Sequence, residues 1–148
     1  MSATKLLGLA LSLAVEAHSG EKDKSGEPYI AHPLRLYKRC TSEHAKLVAL
    51  LHDAVETDSA RPITIERLRT LGFPEPVLEA LALLSHEHGD DYSAYIERLA
   101  GNALAREVKI YDLEDNMDIR RLKAPLTERD LRRTAKYHRA WSKLKEIA

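Results

Sequence analysis

The chain has 148 residues, 44% of them hydrophobic and 31% charged, which suits one domain with one buried core and is too short for two. Lysine plus arginine balances aspartate plus glutamate at 23 each, so no whole-protein field draws the chain to nucleic acid or to an anionic membrane, and any steering of a substrate is local. The lone Cys40 excludes an internal disulfide and suits a reducing cytoplasm, and no charge-free apolar stretch reaches transmembrane length.

Leu, Ala, Glu, Arg and Lys dominate, and no segment alternates apolar and polar residues long enough for a strand, so the fold is all-α. A first helix runs from about Thr4 to His18 and is closed by Gly20. Its Leu-rich start is broken by Gly8 and Ser12 and lacks a basic cluster and a cleavage site, so it reads as an internal helix rather than a leader. After a polar loop, Lys22 to Pro28, a second helix begins between Pro28 and Pro33 and turns Ile30, Leu34 and Leu36 inward. Thr41-Ser42 caps a third, with Ala45, Val48, Ala49 and His52 on related turns, which points His52 inward or into a cleft.

Beyond a turn at Arg61-Pro62, Thr64 caps a short helix through Leu71, and Pro74 to Pro76 opens an apolar one reaching about Ser85. His86 to Asp91 is a loop, Tyr92 to Ala100 a short helix, and roughly Ala103 to Leu122 a longer one that places Val108, Tyr111, Asp112 and Asp115 or Asn116 about one turn apart. Thr127 and Asp130 form a capping box for a last helix ending near Ile147. There are no repeats, low-complexity tracts or linkers, and residues 1–148 read as a single domain.

The chemistry concentrates at His52-Asp53, between two apolar helical stretches. By itself the pair can simply end a helix, and His32 before Pro33 or Asp112 on an amphipathic helix can be equally ordinary. Together the four supply two imidazoles and two carboxylates from three helices, a mixed set suited to Mn²⁺, Fe²⁺ or Zn²⁺ with positions left for water. On a helix His52 and Asp53 diverge by about 100° and straddle one ion, while Glu56, one turn on, can hold or deprotonate an attacking water.

Three blocks resemble the hydrolase domain of the RelA/SpoT alarmone enzymes and the small alarmone hydrolases, within the HD-domain metal-dependent phosphohydrolases. They are Ala17-His18-Ser19-Gly20 through Lys24-Ser25-Gly26-Glu27-Pro28-Tyr29-Ile30-Ala31-His32-Pro33-Leu34, then Leu50-Leu51-His52-Asp53-Ala54-Val55-Glu56-Thr57, then Val108-Lys109-Ile110-Tyr111-Asp112 through Asn116-Met117. The resemblance implies a compact HD-domain bundle of about seven or eight helices holding one Mn²⁺ through His32, His52, Asp53 and Asp112. It implies a cytoplasmic enzyme of the stringent response that hydrolyses the 3′-pyrophosphate of guanosine tetra- or pentaphosphate, with Glu56 catalytic. Lys24, Ser25, Asn116, Arg133 and Tyr137 match nucleotide-binding positions. The partner is a small nucleotide, not a nucleic acid or a membrane, and a homodimer is left open, with Trp141 reading as core or subunit contact.

The chain departs from the family pattern at three places. Thr57 follows Glu56 where an aspartate is usual, with Asp58 one place later; Asp23 replaces a usually basic residue; and Ile119 stands where a small polar residue often faces the base. Asp23 and Ile119 favour an alternative substrate, such as an adenosine alarmone, a nucleoside monophosphate or a phosphorylated dinucleotide, and Thr57 is the best argument for a non-catalytic alarmone-binding module. His18 reads as a helix-end residue, His86-x-His88 as a solvated loop rather than a second metal site, and Lys22, Lys109, Arg120 and Arg121 as surface charge.

Overall fold

In the computed structural model, which describes residues 2–55, 62–86 and 89–148, the capped apolar stretches become helices. Among the described residues there are eight α-helices: α1 (Ala3–Ala17), α2 (Ala31–Arg39), α3 (Glu43–Leu51), α4 (Ile65–Thr70), α5 (Glu75–Leu84), α6 (Tyr92–Ala100), α7 (Ala103–Asn116) and α8 (Glu128–Ile147). Side-chain oxygens satisfy otherwise orphaned N–H groups at several starts: Ser42 accepts from the Ala45 amide at 3.1 Å, Thr64 from Arg67 at 3.0 Å and Asn102 from Ala105 at 2.9 Å. The expected capping box is formed, Thr127 accepting from the Asp130 amide and Asp130 from the Thr127 amide. His18 caps the end of α1, and Gly20, at φ +79°, takes the left-handed turn that follows.

The centre of the bundle is α3. Its sequence, Glu43-His44-Ala45-Lys46-Leu47-Val48-Ala49-Leu50-Leu51, is apolar nearly all round after the first turn, so it is enclosed on several sides, by α1, α2, α5 and α7. The longer α7 packs on α2, α3, α5, α6 and α8. The C-terminal end of α3, the first turn of α2 and the middle of α7 therefore meet, and the polar residues that these elements carry meet with them. No described helix is long and apolar enough to cross a membrane.

Two expectations change. The helix expected from roughly Ala103 to Leu122 ends at Asn116; Asp118 then accepts from the Arg120 amide, and residues Ile119–Arg121 form a separate 3-10 turn. A short acidic side chain offers the backbone an alternative to the next helical bond, and here it wins. His52 was expected on a helix, yet α3 stops at Leu51 and His52, Asp53 and Ala54 form a turn, so the local reading as a helix end is correct; His52 still faces the core, and Asp53 lies at its edge, open to solvent.

The packing makes a direct test. Leu50→Ala, at a position 1% exposed, should lose about 2–5 kcal/mol in urea unfolding, whereas Leu131→Ala, 55% exposed on α8, should stay within about 0.5 kcal/mol of the parent. Equal losses would contradict the placement of the core.

Candidate metal centre and cleft

His32 comes from the first turn of α2, His52 and Asp53 from the turn after α3, and Asp112 from α7; one ligand atom from each lies within 4.8 Å of the others. His32 Nε2 is 2.9 Å from Asp112 Oδ1 and 3.7 Å from Asp53 Oδ2, and His52 Nε2 is 3.1 Å from Asp53 Oδ2 and 3.5 Å from Asp112 Oδ1. His32, His52 and Asp112 are buried, whereas the Asp53 side chain is 37% exposed and opens the cluster to solvent.

The outer ring nitrogens are already committed. His52 Nδ1 lies 2.7 Å from the carbonyl of Ala49, which can only accept, so this nitrogen carries the proton. His32 Nδ1 faces Asp115 Oδ2 at 2.6 Å in the same way. Both Nε2 atoms then point at carboxylate oxygens, and His52 Nε2 is buried without a hydrogen-bond partner. Lone pairs crowded against two carboxylates need a cation, and this donor set of two nitrogens and two oxygens suits a divalent transition metal. Burial opposes charge on His52, but Asp53 and Asp112 outweigh it and raise its pKa well above 6.5. His32 is raised too, its burial outweighed by hydrogen bonds to Asp112 and Asp115.

A second layer grips these side chains. Tyr29 donates its hydroxyl to Asp53 Oδ2. Lys109 Nζ and Asn116 Nδ2 donate to Asp112, at 2.8 Å on Oδ2 and 3.0 Å on Oδ1. Burial opposes the Lys109 charge, but Asp112 holds its pKa above the ordinary value. Lys109 is thus a partly buried partner of Asp112, not the surface charge expected, and the signal was its place three residues before Asp112 on one helix. Asp115, three residues after, was a neighbour in the sequence reading without a role, and Tyr29 and Arg35 carried none either. Arg121 was read as surface charge but reaches Asp115.

Beside His32 opens a cleft of about 340 Å³ whose wall includes all five nucleotide-binding candidates, Lys24, Ser25, Asn116, Arg133 and Tyr137. Their present partners differ. Ser25 donates to the Arg121 carbonyl at 2.8 Å, Arg133 pairs with Asp130 at 3.0 Å, and Lys24 has its pKa lowered by burial and then by Arg133 and Arg129. Asp23 also lines the cleft, and its Oδ1 accepts from the Ser25 and Glu27 amides at 2.8 and 3.0 Å, which shapes its own loop. Ile119, 42% exposed, forms an apolar part of the wall.

The remaining candidates separate clearly. Glu56, Thr57, Asp58 and His88 lie outside the described residues. His86 packs on Tyr95, with centroids 4.5 Å apart. Trp141 is a core contact, half-buried against the packed helices, with Nε1 donating to Glu114 at 2.9 Å. Cys40 is buried, its thiol donating to the Leu36 carbonyl.

No family model matches the chain. The putative chloroplastic GTP diphosphokinase RSH1 of Oryza sativa subsp. japonica is 44% identical over 64 residues, 40% of this chain and 7% of that protein. The GTP pyrophosphokinase rsh of Brucella ovis is 36% identical over 67 residues, 43% of this chain and 9% of that protein. The matched stretch is thus less than a tenth of either relative. A solved structure of a metazoan ortholog of SpoT that hydrolyzes ppGpp matches with a TM-score of 0.75 at 21% identity, covering 96% of this chain and 93% of that one. Over nearly its whole length, then, the chain has the all-helical fold of that SpoT ortholog, as the sequence blocks imply.

Proposed function

We propose that this protein is a cytoplasmic, divalent-metal-dependent phosphohydrolase of nucleotide alarmones, removing the 3′-pyrophosphate of guanosine 3′,5′-bis(diphosphate) and its triphosphate analogue, with Mn²⁺ as the metal. The observation that carries the reading is the His32–His52–Asp53–Asp112 cluster, with the unpartnered His52 Nε2 inside it, set beside a cleft walled by Lys24, Arg133 and Tyr137. A non-catalytic binding module has no evident need for that cluster. The stretches shared with the RSH1 and rsh enzymes, and the fold shared with the SpoT ortholog, support the same substrate class.

Two histidines and two aspartates would hold the metal, which supplies Lewis-acid polarisation of a phosphoryl oxygen and acidifies water. Lys24 and Arg133 bind the phosphates of the nucleotide, and Tyr137 with Ile119 packs against the base. Asn116 holds Asp112 through Nδ2 and keeps its carbonyl oxygen for a ribose or phosphate-ester hydroxyl. Glu56 takes the proton of the attacking water as its oxygen bonds to the phosphorus next to the ribose; the 3′-oxygen–phosphorus bond breaks and the freed 3′-oxygen is protonated. Tyr29 stays protonated, because burial and then Asp53 raise its pKa, and so serves as a donor and not a base.

One oxygen of Asp23 is bonded within its loop while the residue lines the cleft, so the alternative nucleotides that it suggests stay in the test. Ile119 keeps the base open to test. A panel of guanosine and adenosine alarmones and nucleoside monophosphates, with phosphate and pyrophosphate release read separately, should give pyrophosphate from the guanosine 3′-diphosphates. Release of orthophosphate from monophosphates alone would overturn the substrate assignment.

Substitution separates the roles. His52→Ala or Asp53→Ala should abolish metal uptake, read by elemental analysis, together with turnover, while Glu56→Gln keeps the metal and loses about 100-fold or more in kcat. Full turnover by metal-stripped protein would sink the mechanism.

The raised histidines set a pH signature. Protons compete with metal for His32 and His52, so metal affinity should fall as pH drops through their raised values, a decline that begins above 6.5. In the metal-free chain the sign reverses: the stability these two residues contribute is complete below pH 6.5 and is lost as pH rises through the raised values. Calorimetry should show protons released on metal binding near neutral pH, and binding without proton release would contradict the assignment.

A further inference from the structure

Asp115 lies outside the metal-competent cluster, three residues past Asp112 and so about one turn along the same face of α7. Its side chain is only 10% exposed and collects donors from three directions. His32 Nδ1 approaches Oδ2 at 2.6 Å; Arg35 donates from Nε to Oδ1 at 2.8 Å and from Nη2 to Oδ2 at 3.0 Å; and Arg121 reaches both oxygens at 3.3 Å while donating to the Asp115 backbone carbonyl at 2.7 Å. Burial pushes the carboxyl pKa up, but the bonds from His32 and Arg35 outweigh it and hold it well below its usual range.

A buried carboxylate is costly, and replacing an ion pair by apolar packing is often neutral for stability. Two guanidinium groups on one carboxylate fix its position more firmly than a tie between α2 and α7 requires. What the arrangement achieves is direction. An acceptor on Nδ1 places the ring proton there, leaves the Nε2 lone pair toward the cluster, and stops rotation about the Cβ–Cγ bond.

We propose that Asp115 is a positioning residue for the metal centre: it fixes the tautomer and ring orientation of His32, and Arg35 and Arg121 in turn fix Asp115. This rests on the metal reading of the cluster and not on the identity of the substrate. Arg121 extends the same frame to the cleft, because its backbone carbonyl anchors the Ser25 hydroxyl. The loop that carries Lys24 is thus tied to the network that aims His32.

The test is made on the metal itself. Mn²⁺ affinity of the stripped chain, measured from the electron paramagnetic resonance of free Mn²⁺, should weaken about 10- to 100-fold in Asp115→Ala, and less in Asp115→Asn, whose carbonyl oxygen can still accept from Nδ1. Arg35→Met, which removes the guanidinium bonds to Asp115 but leaves Asp115 on His32, should weaken it less than Asp115→Ala does. In the zinc-loaded chain, the His32 ring should show a strongly downfield Nδ1 proton that Asp115→Ala abolishes, a signature that a purely structural role would not move. Should Asp115→Ala fail to fold, Asp115→Asn and the ring proton of the parent carry the test. Parent-like affinity in a folded Asp115→Ala, or in Asp115→Asn together with a parent ring protonated on Nε2, would overturn the proposal. A parent that takes up no divalent metal overturns it along with the metal reading, whereas one that binds metal but cleaves no alarmone overturns the substrate reading alone.

Discussion

The charge of Asp112, carried on α7 into the middle of a helical bundle, is the constraint around which the rest is arranged. A lone carboxylate at that depth would cost several kcal/mol, so every neighbour is recruited to it. Oδ1 faces both imidazoles and the Asn116 amide, and Oδ2 takes the Lys109 ammonium. Lys109 itself is tolerable in the interior only because Asp112 and the faces of Tyr92 and Tyr95, 5.9 and 5.4 Å from Nζ, receive it. The apolar α3 then acts as a spacer that delivers His52 and Asp53 to this charge from the opposite side.

The helices and the four cluster residues were legible because each is signalled locally: caps by Ser and Thr, helix faces by periodicity, the cluster by three blocks in a fixed order. Residues that act by reaching across the fold were not. Asp115 gains its meaning from His32 and Arg35 on α2, and Tyr29 from Asp53, partners separated by 83, 80 and 24 positions. Nothing in a sequence says which surface-looking aspartate will find such partners. The end of α7 at Asn116 was missed because Leu113, Met117 and Ile119 continue an apolar pattern, whereas Asp118 breaks the backbone ladder.

The cations around the cleft divide into two groups. Arg35 and Arg121 are committed to Asp115, and Lys109 to Asp112, so their charge is consumed in holding the centre together. Arg133 is instead paired with Asp130 on its own helix, and Lys24 is held below its ordinary pKa by burial and by Arg133 and Arg129.

The Asp23 loop carries one more consequence. Its carboxylate takes the amides of Ser25 and Glu27, its carbonyl takes that of Gly26, and its own amide donates to Glu27. Many phosphate sites are concave nests of free backbone N–H groups; here those groups are already closed on themselves. A phosphate bound here as proposed would meet the side-chain cations Lys24 and Arg133 instead of a rigid amide cradle. Its grip is therefore of the kind that mobile salt ions screen, and weakens with rising ionic strength in a way that a backbone nest resists.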